Sequence, residues 1–422
     1  MPSQRRAFLG GLCSVGTGLV AGCVTTSGRT DRPPTETPTE SSSDLASIGG
    51  PTTWSPQAKL AASTGTDGDE FGTTVSMSGD RSTAIVGAPG ADSRFSPAAG
   101  SAYVFDRAGG KWSQSATLLA SGGPEGTAFG RAVAVDDHGD RILVGAPGED
   151  GGTAYLFEAG PDGWTQTARL PVGTDGRTVA LSGDGSTALV ETSRTGTAAR
   201  VFAVDGDGFS RVGSLVGTTD ARPSDLTLAR DGTAAVVGET AADDADGVAT
   251  VYRTVGEEWV VDDRVRAADA ALSSFGRSVA VDGDGTTLLV GADTGDGGIV
   301  SVYDRTDGSW SRTATLSGRA QGPDRFGDDV ALSADGSRAA VGASVEAARA
   351  GETSGTAYVF GVGPEGWRTR ARLVPPDSQT AGDEFGYAVS IAGDGETVLV
   401  GARGDTRPNG PRSGSAYVFT TQ

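Results

Sequence analysis

Histidine, lysine and cysteine are all but missing from this chain of 422 residues, in which His138 is the one histidine and the short lists are completed by Lys59, Lys111, Cys13 and Cys23. So few of these side chains leave no Cys/His zinc cluster and no Cys/His nucleophile dyad, since both need several of them to converge. A Ser-His-Asp arrangement would have to be built on His138, which reads as part of a hairpin turn. No Gly-x-x-x-x-Gly-Lys-Ser/Thr loop is present to cradle a phosphate. A positive face is lacking too, because the formal net charge is −20, which argues against general nucleic-acid binding. Nor is there an apolar run of the about 20 residues that a membrane helix needs; the stretch from Phe8 to Val20 is shorter and Gly-rich.

What the N-terminus does hold is an export pattern. Gln4-Arg5-Arg6-Ala7-Phe8-Leu9 sets twin arginines before an apolar stretch, and Leu19-Val20-Ala21-Gly22-Cys23 combines small residues that admit a peptidase with a thiol that takes a lipid. Residues 1–22 are expected to be a twin-arginine signal peptide with a lipobox, with Arg5 and Arg6 as its signal and Cys23 as the lipid anchor. The protein is then exported and held on the outer face of the cell membrane, touching it only through that lipid. Residues 23–50, rich in Thr, Ser and Pro without periodicity, read as a flexible linker. The acidic, lysine-poor remainder suits a protein that must stay dispersed in concentrated salt, where charge is screened within about 3 Å at 1 M. A salt-adapted prokaryote is the expected source, and lipoprotein export by this route fits a haloarchaeon.

Residues 51–422 repeat one unit. The segment FGRAVAVDDHGDRILVGAPGEDGGTAYLFEAGPDGWTQTARL at 129–170 aligns without a gap with FGRSVAVDGDGTTLLVGADTGDGGIVSVYDRTDGSWSRTATL at 275–316. Phe-Gly recurs at Phe71, Phe129, Phe275, Phe326 and Phe385, and two degenerate copies lie at 178–190 and 225–237, which makes seven. The tryptophans count independently: Trp54, Trp112, Trp164, Trp259, Trp310 and Trp367 share one repeat position, and Phe209 fills it in the remaining copy. Each unit reads as four short strands: a small alternating one, a nearly continuous apolar one, a third with two aromatics on one face, and a polar Trp strand at the edge. The expected fold is all-β, a seven-bladed β-propeller with four-stranded antiparallel blades. The last copy ends just after Ala416-Tyr417-Val418-Phe419 without a fourth strand, so the isolated N-terminal strand 54–60, WSPQAKL, is expected to complete the last blade and close the ring.

Phe71-Gly72 with Gly87-Ala88-Pro89, and Phe129-Gly130 with Gly145-Ala146-Pro147, each followed by a Gly-x-Ala-Tyr segment and a Trp strand, resemble the FG-GAP repeat, best known from the seven-bladed propeller of integrin α subunits. The resemblance covers residues 54–422 and implies an extracellular binding platform. It departs from many such repeats in lacking the D-x-D-x-D-G calcium loop. Asp136-Asp137-His138-Gly139-Asp140 and Asp282-Gly283-Asp284-Gly285 offer too few alternating oxygens for the six to eight ligands that calcium takes, so these aspartates read as turn residues and no cofactor or metal is expected.

The long loops between second and third strands, Gly90 to Gly100, Ser344 to Gly355 and Arg403 to Gly414, fall in the first, sixth and seventh blades and lie on the face with variable loops, where binding residues belong. They carry Arg94, Phe95, Arg349, Arg403, Arg407 and Arg412, a candidate site for an anionic partner, since guanidinium forks match carboxylate and sulfate. Arg403-Gly404-Asp405, although an adhesion-like tripeptide, aligns with ordinary Gly-Ala-Pro-Gly frames. The reading is a monomeric surface binding or scaffold module without catalysis, whose partner is an unidentified surface protein or anionic glycan. The alternative left open is a propeller hydrolase or lyase that acts on an acidic surface polysaccharide through acids and arginines near the axial mouth.

Overall fold

The computed structural model describes residues 53–422 except residues 93–98, 122–125, 149–151, 172–175, 193–195, 206–207, 219–220, 242–246, 268–271, 296, 320–323, 348–352, 378–379 and 408. The chain divides into two units, Met1–Pro51 and Thr52–Gln422, and the description concerns the second. Arg5, Arg6, Cys23, the signal peptide and the linker lie outside the described residues, as do Arg94, Phe95 and Arg349.

Seven four-stranded antiparallel sheets make the propeller. Their innermost strands are Thr74–Met77 (blade 1), Ala132–Val135 (blade 2), Val179–Leu181 (blade 3), Ala221–Leu228 (blade 4), Val279–Val281 (blade 5), Phe326–Leu332 (blade 6) and Phe385–Ile391 (blade 7). The second strand of each is nearly wholly buried, as in Thr83–Ala88, while the outer Trp strand alternates, as in Lys111–Leu118. In blade 7 the outer position is taken by Trp54–Leu60, which pairs antiparallel with Ser415–Thr421 in the register Trp54 to Thr421 and Leu60 to Ala416. The isolated strand at the start of the repeat region thus finds its sheet at the far end of the chain.

The repeat motif has a packing reason. The phenylalanine of each Phe-Gly is fully buried against the aromatics of its blade's third strand, and in blades 2 and 7 it meets two of them edge-on: Phe129 lies 5.5 Å from Tyr155 and 6.0 Å from Phe157, and Phe385 lies 5.5 Å from Tyr417 and 6.0 Å from Phe419. Burying one phenylalanine contributes roughly 1.5–3 kcal/mol, and the edge-on pairs add to it. The glycines mark a close crossing between blades. A Cβ on Gly401, in the Gly-Ala of blade 7, would lie 2.1 Å from the carbonyl oxygen of Gly72, in the Phe-Gly of blade 1; Gly87 meets Gly130 and Gly342 meets Gly386 at 2.0 Å. No side chain fits between backbones that close.

The tryptophans link blades at the rim. Each rests half-buried on an apolar cluster, and Trp112 donates its indole N–H to Gln57 of the closing strand at 3.3 Å, as Trp310 does to Asp262 at 3.3 Å. The turn aspartates act on backbone. Asp136, nearly inaccessible, accepts the N–H groups of Asp140 at 2.8 Å and Arg141 at 3.2 Å, and Ser333 donates to Asp335 at 2.6 Å in the turn that follows its blade's first strand.

Candidate functional site

An axial cavity of about 800 Å3 runs down the inner strands of the propeller. Its two ends differ because the chain enters every inner strand on the face with the variable loops and leaves it by a tight turn on the other.

At the entry end, within two residues of the start of the inner strand, stand Arg131 in blade 2, Arg177 in blade 3, Arg277 in blade 5, Arg325 in blade 6 and Tyr387 in blade 7, all of them lining the cavity. Arg277 is committed to Asp293 at 2.5 Å and to Asp328 of the next blade. Among the described residues, the guanidinium groups of Arg131, Arg177 and Arg325 make no ion pair or hydrogen bond. Arg177 and Arg325 are exposed and Arg131 half-buried. Three uncommitted cations therefore gather at one mouth of a strongly acidic protein.

One residue inside this rim stand Asp225 and Asp329. Asp225 of blade 4 accepts the N–H of Val279 in blade 5 at 2.8 Å and that of its neighbour Leu226 at 2.8 Å; Asp329 of blade 6 accepts Val389 of blade 7 at 2.7 Å and Val330 at 2.9 Å. Both are half-buried and line the cavity. Burial, together with the charge of Asp329, pushes the Asp225 carboxyl up to about 8. Burial pushes Asp329 up to about 7 against the backbone hydrogen bonds that favour its ionised form. Ser76 and Ser390 serve the same seam elsewhere, accepting the N–H of Val135 at 3.3 Å and of Met77 at 3.1 Å.

At the exit end the turns of all seven blades are hydrogen-bonded in a closed circle. Asp80 N donates to Asp137 O at 3.1 Å, Asp137 N to Gly183 O at 2.9 Å, Gly183 N to Arg230 O at 2.8 Å, and Asp231 N to Gly283 O at 3.1 Å. Gly283 N continues to Ala334 O at 2.9 Å, Ala334 N to Gly393 O at 3.0 Å and Gly393 N back to Gly79 O at 3.1 Å. The equivalent positions are glycine or alanine except for Asp137 and Arg230, whose side chains form an ion pair across the circle.

Among the described residues, the loop arginines expected from the sequence, Arg403, Arg407 and Arg412, are engaged within the chain. Arg403 pairs with Glu384 and stacks 3.6 Å over the Tyr387 ring, which brings it beside the cavity mouth. Arg407 bonds Asp405 at 3.0 Å and Asp383 at 2.9 Å, and Arg412 bonds Glu70 at 2.8 Å. Asp405 of the adhesion-like tripeptide is fully buried and accepts Lys59 at 2.9 Å and the Tyr417 hydroxyl at 3.0 Å, so it is not presented to a partner. Loop length does not point to the rim arginines. Arg131 and Arg277 share one repeat position, the residue after Phe-Gly in the two aligned segments, whereas Arg325 stands before its Phe-Gly and carries no such mark.

Four stretches, residues 54–105, 112–157, 310–360 and 367–419, match the FG-GAP repeat family. Each begins at a Trp strand and ends at a third-strand phenylalanine, so the matched unit straddles two blades, as the closing strand requires. No curated protein is similar to the chain by sequence. Among solved structures, Kuenenia stuttgartiensis hydrazine synthase is similar with a TM-score of 0.57 and 15% identity over 80% of this chain and 94% of that one. A chain of the mitotic checkpoint complex is similar with a TM-score of 0.56 and 14% identity over 90% of this chain and 98% of that one. At such identity the likeness is one of fold. Taken with the seven closed blades, the four matched repeats, just under half of the chain, support the FG-GAP repeat propeller family.

Proposed function

We propose that this propeller is a surface-displayed binding module, exported and held at the outer face of the membrane by a lipid on Cys23, that takes an anionic partner at the arginine-rimmed mouth of its axial cavity and does no chemistry on it. The observation that carries the reading is the set of three uncommitted guanidiniums, Arg131, Arg177 and Arg325, on a chain of net charge −20 whose described loop arginines, Arg403, Arg407 and Arg412, are already occupied by carboxylates. Arg403, stacked on Tyr387, flanks the same mouth. Guanidinium forks suit carboxylate and sulfate, and a preformed concave site needs no ordering before it binds.

A second reading is favoured by Asp225 and Asp329. A carboxyl that titrates near neutrality beside a second one is what a general acid in sugar-chain cleavage needs, so a hydrolase or lyase of acidic polysaccharide stays open. Both carboxylates, however, hold the inner strand of the following blade through its backbone, a sufficient structural task. The triple variant R131S/R177S/R325S, tested by retention of an acidic polysaccharide in concentrated salt, is expected to lose at least about tenfold in affinity while its melting temperature stays put. Unchanged retention would sink the rim as the binding site, and new reducing ends released by the unaltered protein would favour the enzyme.

A further inference from the structure

The two ends of the axial cavity carry the inference, which rests on the binding reading above and deepens it. Asp137 comes from blade 2 and Arg230 from blade 4, yet the arginine head reaches the opposite side of the circle: a Cβ on Gly79 of blade 1 would lie 2.3 Å from Arg230 Nη1, and one on Gly393 of blade 7 would lie 3.3 Å from it. The Asp137 carboxylate likewise stands 2.3 Å from where a Cβ on Gly183 of blade 3 would be. The ion pair therefore occupies the lumen of the turn circle, and the surrounding glycines leave it room. The cavity has a floor.

We infer that this is a blind pocket that recognises the end of an acidic glycan, with the hydroxylated terminal sugar inside and its carboxylate or sulfate at the Arg131, Arg177 and Arg325 rim. A chain passing straight through would need both mouths, and the Asp137–Arg230 pair closes one. A cavity of about 800 Å3 lies within the 300–1,000 Å3 typical of sites for one small ligand, enough for a terminal sugar with its neighbour. The order of chemistry along the axis fits a sugar better than a peptide. Cations stand at the rim, two carboxyls one residue inside, and beyond them small hydroxyl and methyl side chains such as Ser76, Thr227, Ala331 and Ser390, with the one interior cation, Arg230, already committed to Asp137. Carboxyls and hydroxyls in a pocket suit the alternating donors and acceptors of a polyol.

The test compares two tetrasaccharide isomers, one with its only uronate at the non-reducing end and one with that uronate internal and a neutral sugar at that end, by titration calorimetry in concentrated salt against the full exported chain. Citrate forms a third arm, distinguishing a free polycarboxylate from a sugar end. The terminal isomer is expected to bind at least about tenfold more tightly than the internal one and than citrate. D137S/R230S, which opens the floor, is expected to bring the isomers within about threefold of each other, whereas D137N/R230Q, which keeps the bulk without the charge, preserves the preference. Because the pair also ties blade 2 to blade 4, both variants are compared by melting, and a general loss of structure would move both. Equal binding of the two isomers by the unaltered protein, with binding still lost in R131S/R177S/R325S, would overturn end recognition alone; tighter binding of citrate would do the same. Absence of binding by all three probes would overturn the reading it rests on.

Discussion

Asp225 and Asp329 line the cavity one residue inside its arginine rim, and burial raises both carboxyls, to about 8 and about 7. In the unfolded chain they would titrate near the usual aspartate value of about 3.9. Between those limits the folded state binds more protons than the unfolded one, so their contribution to stability is fully present below about pH 4 and is lost as pH rises through 7 and 8. Asp80, Asp184 and Asp335 work the other way: burial raises them, but hydrogen bonds from nearby serines outweigh it and hold them below the ordinary value, so what they contribute is lost in acid. Melting followed from pH 4 to pH 9 should show a decline of a few degrees that begins in mild acid and levels off above about pH 8, and that D225N/D329N flattens; an unchanged decline in that variant would assign it elsewhere. Neither aspartate could have been picked out from sequence, because the chain is full of aspartates and what distinguishes these two is the neighbouring blade's backbone. Of the rim arginines, Arg131 is legible as a repeated position shared with Arg277, and Arg325, which precedes its Phe-Gly, is not. The ion pair across the exit circle was not, since Asp137 and Arg230 are brought together only by the curvature of the ring.

The strand Trp54–Leu60 does more than fill an edge. Lys59 reaches from it to Asp377 at 2.7 Å and to the buried Asp405 at 2.9 Å, and its ammonium lies 5.1 Å from the Tyr417 ring centre. Burial would raise Asp405, but hydrogen bonds from Lys59 and from the Arg407 backbone outweigh it and keep the carboxyl below its usual value. Lys59→Met removes the cation and leaves the carboxylate buried, which is expected to cost about 3 kcal/mol in denaturant unfolding; a loss under about 1 kcal/mol would mean that Arg407 alone satisfies Asp405. The strand and its partner were legible from the count of third and fourth strands. The bulges were not: third and fourth strands shift register between Val104 and Phe105, and again between Val359 and Phe360, and the closing strand has its own shift between Pro56 and Ala58. Alternation alone does not mark an extra residue that lets an edge twist.

At the scale of the whole molecule, the seven-fold count and the closure were readable because five blades repeat the buried Phe-Gly and all seven keep a tryptophan or phenylalanine at one position of the outer strand. The ligand was not, because a propeller serves many functions and only the side chains at its mouth differ. Cys23 lies outside the described residues, and the proposed lipid on it is testable by itself: Cys23→Ser should move the protein from the membrane fraction into the medium, and mass spectrometry of the mature N-terminus should find an acylated cysteine in the unaltered protein. An unaltered distribution would remove the anchor. If the anchor holds, the closing strand acquires a mechanical meaning. Any tug along the tether arrives at Trp54, so the first element to feel the load is the clasp of the ring, resisted by six paired positions along the final strand and by the Lys59 ammonium. The leash is fastened to the latch.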